Sequence, residues 1–413
     1  MYTDDAMIVK NIALLGHKDH GKSTLIGSML MQTGAATQVR INEAKEYSRQ
    51  LKKNFEPAFI LDSFAEERTG EMTIDTTRAE IKFKDMAFAL IDVPGHEELI
   101  KNMISGASYG DIALLIVSAK KDEGIRDQTK RHLFIARMLG IESLVVAVNK
   151  MDLIGYDEGK FQEIRDGLAE FITKIGFERA SVSFVPISAY NGENLVKRSL
   201  NMKWYKGRPL IETLYAYAKR EGRKQADALR IVTQGAIPSA KGELVVGRIV
   251  NGTVKTGEKV SVLPAGEAAV VKEITVKGSK VKKAVFGENV ALRLDRKVIA
   301  ELRGAVISSA SSKPVVSDLI RAKILVTGKI RKDSVIKFNG VDISCKNVKV
   351  LNGISTTTGE RNSSKTAKLL EAVDAEVRLA RKIPIEGYDV TRELGRFVLY
   401  SGKKFAGIGI IRE

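Results

Sequence analysis

The sequence GHKDHGKST, residues 16 to 24, carries the first residues whose types and spacing suggest chemistry. The spacing Gly-x-x-x-x-Gly-Lys-Ser is typical of a phosphate-binding loop, and it stands between the apolar residues 12–15 and a helix-like segment. Backbone N–H groups and a helix N-terminus would surround phosphate oxygens there, and Lys22 would reach the outer phosphates. The Ser23 hydroxyl would be a ligand of Mg²⁺. This pattern predicts a nucleotide site but does not choose the base.

A second polar motif, Asn-Lys-Met-Asp at residues 149–152, follows the strand-like sequence SLVVAV. This position predicts the carboxyl edge of a sheet, where folds of this kind bind ligands. The carboxylate of Asp152 can accept two parallel hydrogen bonds from N1–H and the exocyclic amino group of guanine. Adenine offers neither donor, so a buried carboxylate would lose its partners. Ser-Ala-Tyr at 188–190 would support the base from its other side, and we therefore predict a guanine nucleotide.

The sequence DVPGH, residues 92–96, ends the strand-like run MAFALID and predicts the hydrolytic part of the site. Asp92 would hold Mg²⁺ through water, and the backbone N–H of Gly95 would contact the γ-phosphate. His96 is placed to orient the attacking water. Thr73 would supply a second hydroxyl to Mg²⁺ from a segment that orders only when the γ-phosphate is present. Hydrolysis would release that segment, which predicts a switch.

Composition limits the class of protein. At ~150 residues per domain, 413 residues predict about three domains. No apolar run approaches the ~18 residues of a membrane span, and the start MYTDDAMIVKNI lacks a secretory pattern. The single cysteine, Cys345, excludes an internal disulfide and argues against a cysteine-based zinc site. We expect a cytoplasmic protein that has no membrane partner.

Positive charge is concentrated in the second half of the chain. Residues 221–413 carry 36 Lys and Arg against 20 Asp and Glu, which accounts for nearly all of the net charge of +17. Such an excess predicts an anionic partner, and we favour RNA, with no DNA partner expected. The alternative is that lysines protect the edge strands of a β protein from aggregation.

Periodicity divides the chain into an α/β part and a β part. Strands are predicted at 11–15, 86–92, 112–118, 143–148 and 183–187, and helices near 23–33, 41–53, 97–107, 127–139, 160–175 and 208–219. This alternation predicts an α/β phosphate-loop domain whose mostly parallel sheet has helices on both faces. Beyond the charged segment 219–225, short strands between Gly-containing turns predict two antiparallel β-barrels. The predicted domains are 1–222, 223–298 and 299–413.

The motifs GHKDHGKST, TID, DVPGHEELIKNM and NKMD, in this order and followed by two β-rich domains, resemble the translational GTPases of the elongation factor Tu / elongation factor 1-alpha family. The resemblance covers essentially the whole chain. In that family, a GTP-binding domain and two β-barrels carry aminoacyl-tRNA to the ribosome, which triggers hydrolysis. The resemblance implies GTP and GDP as substrate and product, Mg²⁺ as cofactor, and the ribosome, a tRNA or tRNA-like protein and a nucleotide exchange factor as partners.

With the resemblance added, the predicted site has three sets of residues. His96 is the predicted catalytic residue. The predicted metal ligands are Ser23, Thr73 and Asp92. The predicted nucleotide-binding residues are Gly16, His17, Lys18, Asp19, His20, Gly21, Lys22, Ser23, Thr24, Asp92, Gly95, Asn149, Lys150, Asp152, Ser188, Ala189 and Tyr190.

Three functions remain open for this scaffold. Our first expectation is a GTP/GDP switch that controls delivery or release of a tRNA or tRNA-like cargo. The GTPase subunit of bacterial sulfate adenylyltransferase has the same three-domain plan, and residues 127–141 and 198–207 resemble it, although Asp19 followed by His20 is the translational form. A GTP-gated adaptor for release or ribosome-surveillance factors is the third. Glu71 stands where the family has glycine, so we expect an unusual hydrolysis rate or switch geometry.

Overall fold

A computed structural model of the chain describes residues 8–50, 52–61, 77–92, 110–220, 228–240, 242–331 and 333–412. Its contacts divide the chain into two units, Met1–Glu221 with Thr356–Gly359, and Gly222–Ser355 with Glu360–Glu413. Among the described residues, no helix combines the length and the apolar character that crossing a membrane requires.

A single sheet forms the centre of the first unit. Its strands are β1 (Ile8–Leu15), β2 (Thr77–Phe83), β3 (Met86–Asp92), β4 (Gly110–Ser118), β5 (Ser143–Asn149) and β6 (Val182–Pro186). The strand order is β2-β3-β1-β4-β5-β6. All neighbours are parallel except β2 and β3, which pair antiparallel at one edge. The predicted mostly parallel sheet is confirmed, and β2 is a strand that the sequence interpretation missed.

Helices cover this sheet. Those in the described residues are α1 (Lys22–Gln32), α2 (Gln38–Gln50), α3 (Asp127–Met138), α4 (Glu158–Lys174) and α5 (Leu210–Ala218). Successive strand residues point to opposite faces, so Ile12 and Leu14 share one apolar core with Leu25 of α1 and with residues of α5. Leu15 points to the other face and is equally buried, and α3 contacts β1 and β4. The helix predicted at 97–107 lies outside the described residues.

Two closed antiparallel barrels make up the second unit. The strands of the first barrel and the short strands beside it are β7 (Arg230–Ser239), β8 (Gly242–Asn251), β9 (Thr253–Lys255), β10 (Lys259–Leu263), β11 (Glu267–Val276), β12 (Ser279–Val281), β13 (Lys283–Val285), β14 (Asn289–Leu294) and β15 (Val306–Ser309). The second is built from β16 (Val315–Val326), β17 (Ser334–Phe338), β18 (Val341–Ile354), β19 (Arg361–Asn362), β20 (Ala372–Ile385), β21 (Arg396–Ser401) and β22 (Lys404–Ile411).

Each barrel closes through one additional strand pair. The order β10-β15-β7-β8-β14-β11 closes where β10 pairs with β11, and β17-β21-β22-β16-β20-β18 closes where β17 pairs with β18. The short strand β12 pairs with β11, and the short strand β19 pairs with β18. Strands β9 and β13 pair with each other in a separate two-stranded sheet. The predicted pair of antiparallel barrels is confirmed.

The first barrel extends past the boundary predicted at residue 298. Strand β15 pairs with both β10 and β7, so it belongs to this barrel. In the segment before it, the backbone N–H groups of Ile299 and Ala300 donate to the carboxylate of Glu267 at 3.1 and 2.8 Å. The segment 295–305 between β14 and β15 is therefore a loop of the first barrel and not a linker. We propose the boundary between β15 and β16 instead.

A buried polar cluster, the barrel-linking cluster, connects the two barrels within the second unit. Arg230 of β7 is 2% exposed, and its Nε donates to Oε1 of Glu386 at 3.0 Å. The same guanidinium donates to the carbonyl oxygen of Ser312 at 2.9 Å. The hydroxyl of Thr391 donates to the other oxygen of Glu386 at 2.7 Å, and Asn251 donates to that hydroxyl at 3.4 Å. A buried charge pair thus has additional hydrogen bonds from both barrels.

Candidate nucleotide site

The predicted site segments meet at one edge of the sheet in the first unit. Leu14 near the end of β1 lies opposite Asp92 of β3, and Ser118 at the end of β4 lies opposite Asn149 of β5. Because these strands are parallel, the loops that follow them emerge side by side. Ligands of open α/β sheets bind at this carboxyl edge. The register therefore brings together motifs that are far apart in sequence.

Two glycines give the loop after β1 its shape. Gly16 has a φ of +142°, and a Cβ there would come within 2.5 Å of the carbonyl oxygen of Ile116. Gly21 has a φ of +87°, and a Cβ there would lie 2.6 Å from Nδ2 of Asn149. A larger residue at either position would add backbone strain and push the loop away from β4 or β5. Residues Lys18–His20 form a 3₁₀ turn between them.

Helix α1 begins at Lys22, directly after Gly21. Within the described residues no side chain caps its N-terminus, and its first turn has no acidic residue. The backbone N–H groups there remain available to an anion, which the helix dipole also attracts. Nζ of Lys22 lies 3.3 Å from the carbonyl oxygens of both Gly16 and His17, so the ammonium sits inside the loop. Ser23 is exposed and Thr24 is half-buried. This geometry suits phosphate groups.

The two histidines of the loop differ in environment. His20 is fully buried, and its Nδ1 lies 3.1 Å from the carbonyl oxygen of Ile116. Because a carbonyl only accepts, we assign the ring hydrogen to Nδ1. Burial lowers the pKa of His20 to about 4, so the ring is neutral at physiological pH. Nδ1 of His17 accepts a hydrogen bond of 3.4 Å from the backbone of Asp19, which is itself exposed.

Asn149 joins three loops. It is 2% exposed, its Nδ2 donates to the carbonyl oxygen of His20 at 2.9 Å, and its Oδ1 accepts from the backbone N–H of Ala189 at 2.9 Å. The hydroxyl of Ser28 in α1 donates to the carbonyl oxygen of Ala189. Asn149 was predicted to bind nucleotide, and the structure shows both ends of its amide bonded to protein. It therefore fixes the phosphate loop relative to residues 188–190.

We define the NKMD loop as residues 149–152. The residues of this loop that follow Asn149 are held by other contacts. Lys150 has a φ of +64°, and its Nζ lies 2.7 Å from Oε2 of Glu123. Asp152 is half-buried in the 3₁₀ turn Met151–Ile154. Its Oδ1 is buried and has no hydrogen-bond partner within the described residues. A buried acceptor without a partner costs about 1–3 kcal/mol, so this carboxylate fits a ligand that brings N–H donors.

The loop at 188–190 is anchored at one end and exposed at the other. Ser188 is buried, and its backbone exchanges two hydrogen bonds with Glu193, at 3.2 and 2.9 Å. Its hydroxyl accepts from the N–H of Asn191 at 3.2 Å. Tyr190 is 49% exposed, and its hydroxyl lies 3.5 Å from the carbonyl oxygen of Phe55. The structure therefore places a rigid support beside the NKMD loop with an aromatic side chain at its rim.

Some predicted residues fall outside the described part of the chain, and one neighbour of the site was missed. Thr73, Gly95 and His96 lie outside the described residues, and their roles stay predictions. Asp92 is described and lies half-buried at the end of β3. Glu123 was missed because the run Lys-Lys-Asp-Glu at 120–123 is typical of an exposed loop. It lies just after β4, and only the sheet order shows that this strand is a neighbour of β5.

Comparisons with known proteins agree with this architecture. Residues 7–220 match the family model of the elongation factor Tu GTP binding domain, and residues 320–412 match a GTP-eEF1A C-terminal domain-like model. Elongation factor 1-alpha of Sulfurisphaera tokodaii is 35% identical, with 97% of this chain and 96% of the relative covered. Elongation factor 1-alpha of Metallosphaera sedula is 32% identical, with 98% and 96% covered.

Among solved structures, a crystal structure of sup35 complexed with GDP covers 100% of this chain and 96% of its own, at 22% identity and a TM-score of 0.43. The family model spans more than half of the chain, and the relatives span nearly all of it. The predicted GTPase activity is confirmed at the level of the family. The chain belongs to the elongation factor Tu / elongation factor 1-alpha family of translational GTPases.

Proposed function

We propose that the GTP/GDP state of this protein controls delivery or release of a tRNA or tRNA-like cargo at the ribosome. The observation that carries this proposal is the extent of the similarity. Relatives named elongation factor 1-alpha align over 97% of the chain, so the similarity includes both barrels as well as the GTP-binding domain. A nucleotide exchange factor would reset the switch, and the cytoplasm is the expected location.

The geometry of the site supports guanine nucleotide binding. The uncapped start of α1 and the ammonium of Lys22 would bind the phosphates. Oδ1 of Asp152, which has no partner in the described part of the chain, would accept from guanine. For Mg²⁺, the exposed hydroxyl of Ser23 has no hydrogen bond among the described residues, and Asp92 supplies a carboxylate at the same edge. These oxygen donors fit Mg²⁺, which would neutralise phosphate charge when bound.

The charge of the second half supports an RNA-containing partner. Lysines that protect edge strands are needed where a sheet has open edges. Both barrels close, and the strands that remain at an edge among the described residues, β9, β12, β13 and β19, have only two or three residues each. Edge protection therefore explains little of the positive charge. Neutralisation of phosphates, with release of counterions, is the explanation that we favour.

Hydrolysis in the presence of ribosomes tests the proposal. We expect slow GTP hydrolysis by the purified chain and an increase of up to ~10⁵-fold when ribosomes and cargo complete the site. The measurement compares turnover of purified protein with and without ribosomes, over a panel of aminoacyl-tRNA and tRNA-like proteins. Absence of stimulation under every cargo condition would contradict the proposal. Co-purification with a subunit that carries adenylyl-transfer activity would favour the sulfate-activation alternative.

The water-orienting role of His96 is a separate proposal. We expect His96→Ala to leave GTP affinity nearly unchanged and to slow single-turnover hydrolysis ~10²-fold or more, because orienting the water matters only in the chemical step. An unchanged rate in this variant would refute the role, whatever the identity of the cargo.

A further inference from the structure

The loop after β4, which we call the β4 loop and define as residues 119–126, packs against the NKMD loop. The backbone N–H of Ala119 donates to the carbonyl oxygen of Asn149 at 2.8 Å. The β4 loop also folds on itself, since the N–H of Glu123 donates to the carbonyl oxygen of Lys120 at 3.2 Å. The guanidinium of Arg126 donates back to the carbonyl oxygen of Glu123 at 3.1 Å. These contacts hold the side chain of Glu123 beside the NKMD loop.

The carboxylate of Glu123 is surrounded by donors. Nζ of Lys150 lies 2.7 Å from Oε2, and Nζ of Lys120 lies 3.2 Å from Oε1. Burial by itself would raise the pKa of Glu123, but hydrogen bonds from Lys150, Ser118 and Lys120 outweigh it and lower the pKa to about 2. The carboxylate is therefore charged throughout the physiological pH range.

Lys150 is the residue of the NKMD loop whose side chain pairs with Glu123. Asn149 is fixed by its two amide hydrogen bonds, and Oδ1 of Asp152 has no partner among the residues that the structure describes. Lys150, between them, has a positive φ, which is uncommon for a residue other than glycine and costs about 1–3 kcal/mol. A short ion pair offsets such strain and restricts the loop to one conformation.

We propose that Glu123 is a positioning residue of the nucleotide site, which holds Lys150 and so fixes the NKMD loop for the guanine base. The inference rests on the proposed guanine-binding role of that loop. Glu123 acts through Lys150 and does not touch the nucleotide. Its contribution therefore belongs to nucleotide binding and not to the chemical step.

An exposed ion pair elsewhere in the same unit provides a matched control. Lys160 and Glu163 of α4 form a contact of 2.8 Å, with side chains that are 37% and 68% exposed. The corresponding values for Lys150 and Glu123 are 23% and 18%. Exposed pairs of this kind contribute little. Glu163→Gln and Glu123→Gln thus make the same chemical change in two settings.

The test measures GDP affinity and steady-state GTP hydrolysis in the full chain. We expect Glu123→Gln to raise the Kd for GDP about 10-fold, as the loss of a charged hydrogen bond does. We expect the KM for GTP to rise with it, and kcat at saturating GTP to stay unchanged. Glu163→Gln should stay within about twofold of the wild type, because its partner is exposed. A fall in kcat at unchanged KM would overturn the positioning role.

A double-mutant cycle decides whether Lys150 carries the effect. In a Lys150→Met background, Glu123→Gln should raise the Kd for GDP no further, since its partner is already absent. An equal rise in both backgrounds would overturn the proposal. If Glu123→Gln does not fold, Glu123→Asp takes its place in both backgrounds. If Glu123→Asp raises the Kd for GDP only in the chain that retains Lys150, the proposal is supported. If the Kd equals that of the wild type, the proposal is overturned.

Failure of this inference differs from failure of the proposed function. A wild-type chain that binds no GDP would overturn both. A wild-type chain that binds GDP, together with a Glu123→Gln chain of the same Kd, would overturn the positioning role alone.

Discussion

The barrel-linking cluster and the NKMD loop use similar groups in opposite ways. In the cluster, Arg230 and Glu386 are buried together, and each makes hydrogen bonds beyond the ion pair. In the loop, Lys150 is paired with Glu123, but Oδ1 of Asp152 is buried without a partner in the described part of the chain. The charged groups of the cluster are paired within the protein, whereas the NKMD loop has a buried acceptor that a ligand can use.

This difference separates stability from binding. Removing one partner from a complete buried cluster leaves an uncompensated charge and should destabilise the fold. Removing an acceptor that has no protein partner should leave the fold unharmed and weaken only the ligand. Variants in the cluster should therefore lower the free energy of unfolding, whereas variants in the loop should lower nucleotide affinity.

Arg230→Ala should have the largest effect. The carboxylate of Glu386 would stay buried without its counter-ion, so we expect the free energy of unfolding to fall by about 3–5 kcal/mol in urea titrations followed by circular dichroism. Arg321→Ala is the control, because Arg321 contacts Glu376 at 3.3 Å but is 62% exposed. Its loss should not exceed about 1 kcal/mol. A loss that small for Arg230→Ala would show that the cluster does not stabilise the barrels.

Asp152→Asn should weaken nucleotide binding and leave the stability of the fold nearly unchanged. The amide can no longer accept both guanine donors, so we expect the Kd for GDP to rise about 10²-fold, with xanthosine diphosphate bound in preference. The free energy of unfolding without nucleotide should change by no more than about 0.5 kcal/mol, since no protein contact is lost. Binding is measured by titration of both diphosphates. Equal losses of stability and affinity would remove the distinction between the two regions.

His20 predicts a smaller, pH-dependent effect on the first unit. Its pKa is lowered from 6.5 to about 4, so the unfolded chain takes up a proton at a higher pH than the folded one. The stabilisation from keeping this ring neutral is present above pH 6.5 and is lost as the pH falls through 6.5 towards 4. We expect a loss on the order of 2 kcal/mol over this range.

The control for this prediction is His20→Asn, which keeps an N–H donor but does not titrate. The free energy of unfolding of this variant should depend less on pH between 6.5 and 4 than that of the wild type. Identical pH profiles for the two proteins would show that His20 does not titrate across folding as its burial predicts.

Local patterns predicted the parts of the site that depend on local geometry. The phosphate loop was predictable because a strand, two glycines and a helix start must follow one another directly, and positive φ at Gly16 and Gly21 explains the glycines. Edge strand β2 was not predicted because it contains no continuous apolar run. Its buried residues, Ala79 and Ile81, alternate with the exposed Arg78 and Glu80. An alternating pattern would have predicted it.

Features that depend on distant pairing were not predictable from one sequence. Strand β15 is short and follows a loop, and only its pairing with β7 and β10 assigns it to the first barrel. Glu123 reaches Lys150 across 27 positions, because β4 and β5 are neighbours in the sheet. No local property of a charged run separates such a residue from an ordinary solvated one.

The amide of Asn149 has one further consequence. Because this amide is bonded to the phosphate loop on one side and to Ala189 on the other, we expect a ligand in either half of the site to restrict the motion of the other half. Guanosine and pyrophosphate, supplied as two separate molecules, should then bind with positive cooperativity. The molecule that binds first already orders the loops, so the second loses less conformational entropy on binding. The intact nucleotide gains from the same arrangement, with both fragments delivered at once.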